Sequence, residues 1–510
     1  MASADIVLLL HSHMPYVRRN GDWPVGEEWL LEAWAESYLP LWRTIEDLST
    51  AALTGKLALT MTPVLAEQLQ DGYMEERLAW YLKNKIGHTL LEMERLEAMG
   101  DEPRRRLASL FGDLYRGLLH DFEERYRGRM MQVLTKGMEC GAIEVLASAA
   151  THAHLPSLGS DRNRRAQIEI GMESYRRCFG RDPQGFWLPE CSYTPELDAV
   201  LAGFSPPLTY VVLDFTAVEG TPAEARTWEP RRLGSTPLVA LLRDEAAHDR
   251  VWTMRGYPVG DDYREFAKRD HDGWGFQYWR VTSENTPLNE KDIYYPDRAA
   301  ALAQADAQDF ADALRGREEE IAAARTEAEA PALVLAAYDT ELMGHWWREG
   351  PQWLREVLGL LGEETELPCR VAEKALAGEP PILSPPMTAW NVDGTFSTWV
   401  NPGTADIWQK TRRADEDFKR LIEAGGGGAE IKKALVQAAR EMLLIEASDW
   451  SFMVTRDAAA AYARDRFEAH LARFAAVAGM LDRGDIDAGA LASLEETDNL
   501  FPWLDVKYWK

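Results

Sequence analysis

Residues 333–350 read LVLAAYDTELMGHWWREG, an apolar run that ends in two carboxylates, Asp339 and Glu341. The apolar run is short and uninterrupted, which is typical of a strand buried on both faces of a parallel sheet. Because chemistry collects at the carboxyl ends of strands in α/β barrels, this stretch predicts one edge of an active site. Trp346 and Trp347 offer flat apolar faces of the kind that stack on sugar rings. The structural alternative is an acidic loop beside core aromatic residues.

A second apolar stretch also ends in a carboxylate. Residues 185–198, GFWLPECSYTPELD, run into a lone Glu190 that follows Pro189. Two strand-end carboxylates form a pair, and glycoside cleavage requires one carboxyl group to attack or stabilise the anomeric carbon while another protonates the leaving oxygen. A separation of about 5–5.5 Å makes such a mechanism retaining. The alternative for Glu190 is an ordinary turn residue.

Histidines follow two further strand-like segments. Ile6–Leu10 leads into His11 and His13 of HSHMPY, and Ile143–Leu146 leads towards His152 of THAHLP. Because residues two apart on an extended chain face the same way, His11 and His13 are expected to converge on one ligand. That ligand is either a metal ion or a set of sugar hydroxyls. Four predicted strand ends therefore carry polar groups.

The order of elements favours an α/β fold followed by helices. Strands alternate with helical stretches over about the first 380 residues, which is typical of a parallel sheet and fits a barrel. A charged helical tract at 67–136 is too long for a loop and predicts an inserted subdomain. The proline-rich GEPPILSPPM at 378–387 marks a boundary. We expect a catalytic barrel over 1–385 and a helical C-terminal domain over 386–510.

Five motifs occur in the order typical of glycoside hydrolase family 57, and the chain resembles that family, most closely its α-1,4-glucan branching subgroup. The motifs are HSHMPY at 11–16, THAHLP at 151–156, WLPECSY at 187–193, YDTELMGHWW at 338–347 and SDWSFM at 448–453. The resemblance implies an incomplete (β/α)7 barrel with a helical insertion and an all-helical C-terminal domain that contributes to the cleft.

The resemblance also implies roles for individual residues. Glu190 is then the nucleophile that forms a covalent glucosyl-enzyme, and Asp339 is the general acid/base. Transfer of the chain to a glucan 6-hydroxyl gives an α-1,6 branch, whereas transfer to water gives hydrolysis. The residues that the resemblance places around the reacting glucose are His11, His13, His152, Asp449 and Trp450.

Tryptophans near the motifs are candidates for sugar stacking among the nineteen in the chain. They are Trp23, Trp29, Trp274, Trp390 and Trp399. Buried helix anchors are the alternative, above all for Trp29. Residues 220–237 correspond in our alignment to a mobile loop that carries a tyrosine in related branching enzymes. This stretch has no tyrosine but contains Trp228, which leaves α-glucan hydrolysis as the alternative outcome.

Charge and composition narrow the partners. The net charge is −27, which repels nucleic acid and anionic membranes and suits a neutral α-1,4-glucan as donor and acceptor. No segment reaches the roughly 18 apolar residues of a membrane span. The start of the chain lacks the basic region and cleavage site of a signal peptide, so we expect a cytoplasmic protein. The four cysteines show no C-x-x-C spacing and are expected to be reduced.

Two other classes of function remain open at this point. A metal-dependent polysaccharide deacetylase or zinc glycosidase would use His11 and His13 as ligands, with Asp339 as a third. It would lose activity on chelation, whereas the family resemblance predicts neither a metal nor a cofactor. A catalytically silent glucan-binding protein would retain binding without turnover.

Overall fold

In a computed structural model of the chain, the described residues are 4–22, 25–219, 226–271, 275–325, 332–363, 380–425 and 427–510. They contain nine strands, which form one sheet in the order β8-β1-β2-β3-β4-β5-β7-β6-β9. The strands are β1 (Ala4–Ser12), β2 (Leu57–Met61), β3 (Ile143–Ser148), β4 (Gly185–Trp187), β5 (Tyr210–Leu213), β6 (Arg231–Leu233), β7 (Val239–Leu242), β8 (Ala332–Asp339) and β9 (Ile382–Leu383).

Seven strands, from β8 through to β7, are parallel to their neighbours. β6 pairs antiparallel with β7 and extends the sheet to β9. The two outer parallel strands meet where Arg243, which follows β7, forms a parallel bridge with Leu335 of β8. The Asp244 N–H donates a hydrogen bond of 2.9 Å to the Leu335 carbonyl. The sheet thus curls into a seven-stranded parallel barrel with one short seam, which confirms the predicted incomplete (β/α)7 barrel.

Alternate residues of the parallel strands pack on opposite faces of the sheet. In β8, Leu333, Leu335 and Ala337 point into a compact apolar cluster inside the barrel, whereas Val334 and Ala336 pack against the surrounding helices. Both faces are buried, so an uninterrupted apolar run is the expected sequence of such a strand. This double burial explains why the strand was recognisable from residues 333–337.

Helices cover the barrel and form the C-terminal part of the described chain. Those around the barrel are α1 (Glu27–Ala33), α2 (Leu39–Ser49), α3 (Pro63–Leu69), α4 (Gly72–Ala98), α5 (Glu102–Asp121), α6 (Met130–Glu139), α7 (Asp161–Phe179), α8 (Asp198–Leu201), α9 (Glu245–Val251), α10 (Pro296–Ala324) and α11 (Gly350–Glu363). Those that follow are α12 (Ala405–Ala424), α13 (Ala429–Ile445), α14 (Asp449–Arg456), α15 (Ala460–Arg483) and α16 (Ala488–Thr497). None of the helices in the described residues has the length and apolar character needed to cross a membrane.

The charged tract between β2 and β3 is helical, as expected. It contains α3 to α6, of which α4 and α5 are the longest. Aspartates start both long helices, since Asp71 accepts a hydrogen bond from the Met74 N–H and Asp101 accepts one from the Arg104 N–H. Such side chains satisfy N–H groups that have no partner within the helix. The exact bounds of the insertion and of the other domains stay a prediction.

The C-terminal helices pack on the end of the barrel where the strands finish. Their hydrophobic core also includes residues that follow the carboxyl ends of β1, β2 and β3, together with one face of α7. These barrel residues are Tyr16, Val64, Ala150, Ala166 and Ile170. The antiparallel bridge between Ala153 and Ala447 joins the two regions directly. The segment between α13 and α14 is therefore held over the strand ends.

Glu446 lies in that segment and is almost completely buried. Its two carboxyl oxygens accept hydrogen bonds from the amides of Asn163 and Gln167, both on α7. Burial, with a smaller contribution from Asp415, raises the pKa of Glu446 to about 8. The carboxyl group is therefore protonated at neutral pH and links the C-terminal helices to the barrel as a neutral group.

Glu446→Gln tests this link. A carboxyl whose folded pKa lies above its unfolded value contributes stability at low pH and loses it as the pH rises through the folded pKa. We expect wild type to lose about 4 kcal/mol of unfolding free energy from this group between about pH 5 and pH 8, and the glutamine variant to lack that loss. Denaturant unfolding at both pH values measures the difference. Glu430→Gln, on the exposed first turn of α13, is the matched control, and parallel profiles for Glu446→Gln and wild type would contradict the assignment.

Candidate active site

Two histidines project from the carboxyl end of β1. In the parallel register with β2, His11 lies beside Thr60. The His11 Nδ1 forms a hydrogen bond with the Thr60 hydroxyl, and His13 Nδ1 does the same with Thr62 at 3.0 Å. Each ring is thus oriented by a hydroxyl of the neighbouring strand end. Both Nε2 atoms are left to face the centre of the barrel mouth.

The two Nε2 atoms contact different partners. His11 Nε2 lies 3.1 Å from His152 Nε2, and His13 Nε2 lies 3.0 Å from Asp449 Oδ1. The His13 and His152 rings stack with their centroids 3.9 Å apart. His152 Nδ1 also lies 3.9 Å from a carboxyl oxygen of Glu190. The structure therefore brings together residues from β1, from the segments after β3 and β4, and from α14.

Glu190 occupies a backbone conformation that non-glycine residues rarely adopt. Its φ is 59°, the following Cys191 has φ 48°, and His152 has φ 53°. Such residues cost of the order of 1–3 kcal/mol each and persist where the surrounding structure fixes them, often at functional sites. The Glu190 carbonyl accepts a hydrogen bond of 2.6 Å from the Trp390 N–H. The strained turn directs the carboxyl group of Glu190 into the barrel mouth, towards His152.

Asp339 is the last residue of β8 and lies opposite His11 in the register of β1 with β8. Glu341, two residues on, is committed to structural contacts, because it accepts hydrogen bonds from the His13 N–H at 3.1 Å and from the Tyr38 hydroxyl. Of the two carboxylates in this motif, Asp339 is the one that pairs electrostatically with Glu190. The family resemblance assigns the acid/base role to Asp339, and that role stays a prediction.

Both carboxyl groups of this pair have a raised pKa. Burial, then the negative charges of Asp339 and Asp449, raise the pKa of Glu190 well above its usual range. Burial raises the pKa of Asp339 to about 6, although Arg243 and His13 oppose that rise. The negative charge of Asp339 therefore opposes ionisation of Glu190. One ionised and one protonated carboxyl is the state that acid-assisted nucleophilic displacement needs.

The histidines beside this pair are neutral. Burial lowers the pKa of His11 and of His152 well below the usual value, and the neighbouring imidazoles add to the effect. Neutral imidazoles both donate and accept hydrogen bonds. These rings therefore suit hydroxyl groups of a neutral ligand better than an anion.

A buried cation that the sequence analysis missed lies under the site. Arg243 is 1% exposed and forms an ion pair of 2.6 Å with Asp214. Its guanidinium lies 4.1 Å from the centre of the Trp390 ring, and Trp390 in turn contacts the Glu190 backbone. The signal was present in the sequence, because VALLRD at 239–244 is another apolar run that ends in charged residues.

The tryptophans expected to bind sugar have different environments. Trp390 packs on the barrel interior and on Trp187 at the site. Trp29 is half-buried and packs between the barrel and the C-terminal helices. Trp399 and Trp450 are only 1% exposed and serve as packing anchors, so neither presents a free face for stacking. Trp23 and Trp274 lie outside the described residues.

The structure does not bring Trp228 to the site. Its carbonyl accepts a hydrogen bond from the N–H of Leu333, near the start of β8, whereas Asp339 is at the other end of the same strand. Six steps of about 3.3 Å separate these ends by about 20 Å. The ring packs against Arg226 and Arg317 instead. The expectation that Trp228 lines the cleft is corrected accordingly.

Comparisons with known proteins agree with this arrangement. The family model described as "Glycosyl hydrolase family 57" matches residues 7–359, and the model described as "1,4-alpha-glucan branching enzyme, C-terminal" matches residues 410–509. The chain belongs to glycosyl hydrolase family 57.

Its relatives include a 1,4-alpha-glucan branching enzyme of Thermococcus kodakarensis, which is 34% identical over 97% of this chain and 77% of that protein. The crystal structure of a GH57-type branching enzyme from Pyrococcus horikoshii superposes with a TM-score of 0.92 at 32% identity, covering 99% of this chain and 97% of that one. The alpha-amylase AmyC from Thermotoga maritima superposes with a TM-score of 0.88 at 26% identity, covering 100% and 99%. Fold similarity therefore extends to proteins named for transfer and for hydrolysis.

Asp449→Asn tests the electrostatics of the site. The substitution removes a negative charge that raises the pKa of Glu190 but retains an oxygen that accepts from His13. A carboxylate that must be ionised to act then becomes ionised at lower pH. We expect the acidic limb of the pH profile of kcat/KM for glycoside cleavage to move to lower pH. Asp465→Asn, on an exposed position of α15, is the control. An acidic limb that stays in place or moves up contradicts the account.

Proposed function

We propose that this protein is a 1,4-α-glucan branching enzyme that cleaves α-1,4 linkages and transfers the released chain to a glucan 6-hydroxyl. The observation that carries the proposal is the convergence of Glu190 and Asp339, two carboxyl groups from separate strand ends, where the charge of Asp339 adds to the raised pKa of Glu190. The branching-enzyme model that matches residues 410–509, and the relatives of that name, support transfer as the outcome.

In the first step, Asp339 donates a proton to the glycosidic oxygen while Glu190 attacks C1 of the glucose unit. The C1–O bond breaks, a C1–carboxylate bond forms, and the leaving chain departs with a 4-hydroxyl. This step begins with Asp339 protonated and Glu190 ionised, because the acid must carry the proton and the nucleophile the negative charge. The covalent intermediate makes the overall mechanism retaining.

The polar residues around the pair position the reacting glucose. We assign His11, His152, His13 and Asp449 to hydrogen bonds with sugar hydroxyls, because they are fixed by their own partners and face the barrel mouth. Trp390 supplies an apolar face on the Glu190 side. These roles are part of the proposal.

In the second step, the ionised Asp339 removes a proton from the acceptor while the acceptor oxygen attacks C1 and the bond to Glu190 breaks. A 6-hydroxyl gives an α-1,6 branch, and water gives hydrolysis. Hydrolysis of α-glucan is the second candidate, favoured by the similarity to the amylase of Thermotoga maritima. The acceptor alone separates the two activities.

A metal-dependent reaction fits the geometry less well. His11 and His13 direct their Nε2 atoms at different partners, His152 and Asp449. Within the described residues, the histidine and acidic side chains spaced to hold a metal ion are Glu441, His470 and Asp498 among the C-terminal helices. The proposal therefore includes no metal and no cofactor. The proposed location is the cytoplasm. The proposed partners are neutral α-glucan chains, which suit a protein with a net charge of −27.

Incubation with linear amylose tests the proposal. Proton NMR counts α-1,6 linkages while a reducing-end assay counts hydrolysis. We expect wild type to form more α-1,6 linkages than new reducing ends, and Glu190→Gln to lose at least about 1,000-fold of both, because the nucleophile is gone. Glu341→Gln is the comparison within the same site. A smaller loss is expected, because the Glu341 side chain accepts hydrogen bonds from the His13 N–H and the Tyr38 hydroxyl. Reducing ends without branches would make the protein an α-glucan hydrolase.

A further inference from the structure

An exposed group of aromatic rings lies on the rim of the barrel mouth. Trp346 is 43% exposed and Phe266 is 41% exposed. The Trp346 ring stacks on Trp252 with centroids 5.9 Å apart and an angle of 19° between planes, and its centroid lies 6.4 Å from that of Phe266. We call Trp252, Phe266 and Trp346 the aromatic platform. Its three rings come from three separate segments of the chain.

The platform adjoins the candidate site through the loop after β8. The Trp346 N–H donates a hydrogen bond of 3.2 Å to the carbonyl of Glu341, whose side chain accepts from the His13 N–H. Trp252 follows α9, and that helix is tied to β8 where the Ala247 carbonyl accepts from the Tyr338 hydroxyl. The platform is thus joined to β8 and to the loop that follows Asp339.

The exposure of the platform contrasts with its immediate surroundings. His345 and Trp347, on either side of Trp346, are 5% and 0% exposed. The loop is fixed, because the His345 N–H donates to the Ser37 hydroxyl at 3.1 Å and the Gly344 N–H donates to the Trp347 carbonyl at 2.8 Å. One aromatic ring in this fixed loop is therefore held in solvent. Contiguous exposed apolar surface of this kind marks a binding surface.

We propose that the aromatic platform binds a distal stretch of the α-glucan chain, several glucose units from the bond that Glu190 and Asp339 cleave. This inference rests on the proposed function. Pyranose rings present apolar C–H faces that stack on indole and phenyl rings, whereas their hydroxyls remain solvated. A glucan chain that extends from the barrel mouth over the loop after β8 reaches these rings. The platform then favours binding of long glucan chains over short ones. It also favours transfer to a glucan chain over transfer to water.

Affinity electrophoresis in gels that contain amylose measures this binding without relying on turnover. We expect Trp346→Ala and Phe266→Ala to raise the apparent dissociation constant for amylose about fivefold, and Trp346→Tyr to retain binding within about twofold. Trp80→Ala is the matched control, because Trp80 is 44% exposed on α4, in the inserted helical tract, and should leave retention unchanged. In kinetic assays the alanine variants should raise KM for amylose more than KM for a short maltooligosaccharide.

Equal retention of wild type and both alanine variants would overturn the proposal that the platform binds glucan. So would an equal loss of turnover on short and long substrates, since the rings would then act on the chemistry. If sedimentation shows a dimer that Trp346→Ala dissociates while glucan retention is unchanged, the surface is an interface with a second copy and the inference fails. If wild type is retained by amylose and the variants are not, yet no α-1,6 linkages form, the proposed function fails and the platform stands.

Discussion

The pairing of β1 with β8 is the constraint on which the rest of this structure depends. Eight consecutive residue pairs, from Ala4 with Ala332 to His11 with Asp339, join parts of the chain that are more than 300 residues apart. A slip by one residue would turn every side chain of β8 to the other face and place Asp339 among the outer helices. Burial on both faces fixes the register, because inward and outward residues of β8 pack into different apolar clusters. The position of Asp339 beside His11 is thus a consequence of barrel packing.

Once this register is set, the electrostatics of the candidate site follow from the desolvation of its carboxyl groups. Desolvation raises the pKa of both Glu190 and Asp339, and the charge of Asp339 adds to the rise for Glu190. The positive charge of Arg243 opposes the rise in the pKa of Asp339. The C-terminal helices complete the site by bringing Asp449 to His13. The neutral Glu446 holds the segment before α14 against α7. The C-terminal helices therefore contribute a side chain to the candidate site.

The sequence predicted the strand ends well. A strand buried on both faces is an uninterrupted apolar run, and the first polar residues after that run mark where the strand ends. It also predicted the inserted helices, because the charged tract at 67–136 is too long to be a loop. It failed for single tryptophans. Residue type does not reveal which end of the barrel a side chain occupies, so Trp228 was misplaced. It does not reveal depth either, so Trp399 was a candidate for sugar stacking although it is almost completely buried. Arg243 was overlooked because a cation at a strand end was not recognised as part of a carboxylate site.

Trapping the covalent intermediate tests the central claim most directly. The Asp339→Asn variant is incubated with an α-maltosyl fluoride. The fluoride is a good leaving group, so the first step needs no acid, whereas the variant lacks the base for the second step. A glycosylated enzyme should therefore accumulate. Peptide mass spectrometry of the quenched protein locates the sugar. The account predicts a single adduct on the peptide that contains Glu190. An adduct on Glu341, or release of product with inverted anomeric configuration and no adduct, would contradict it.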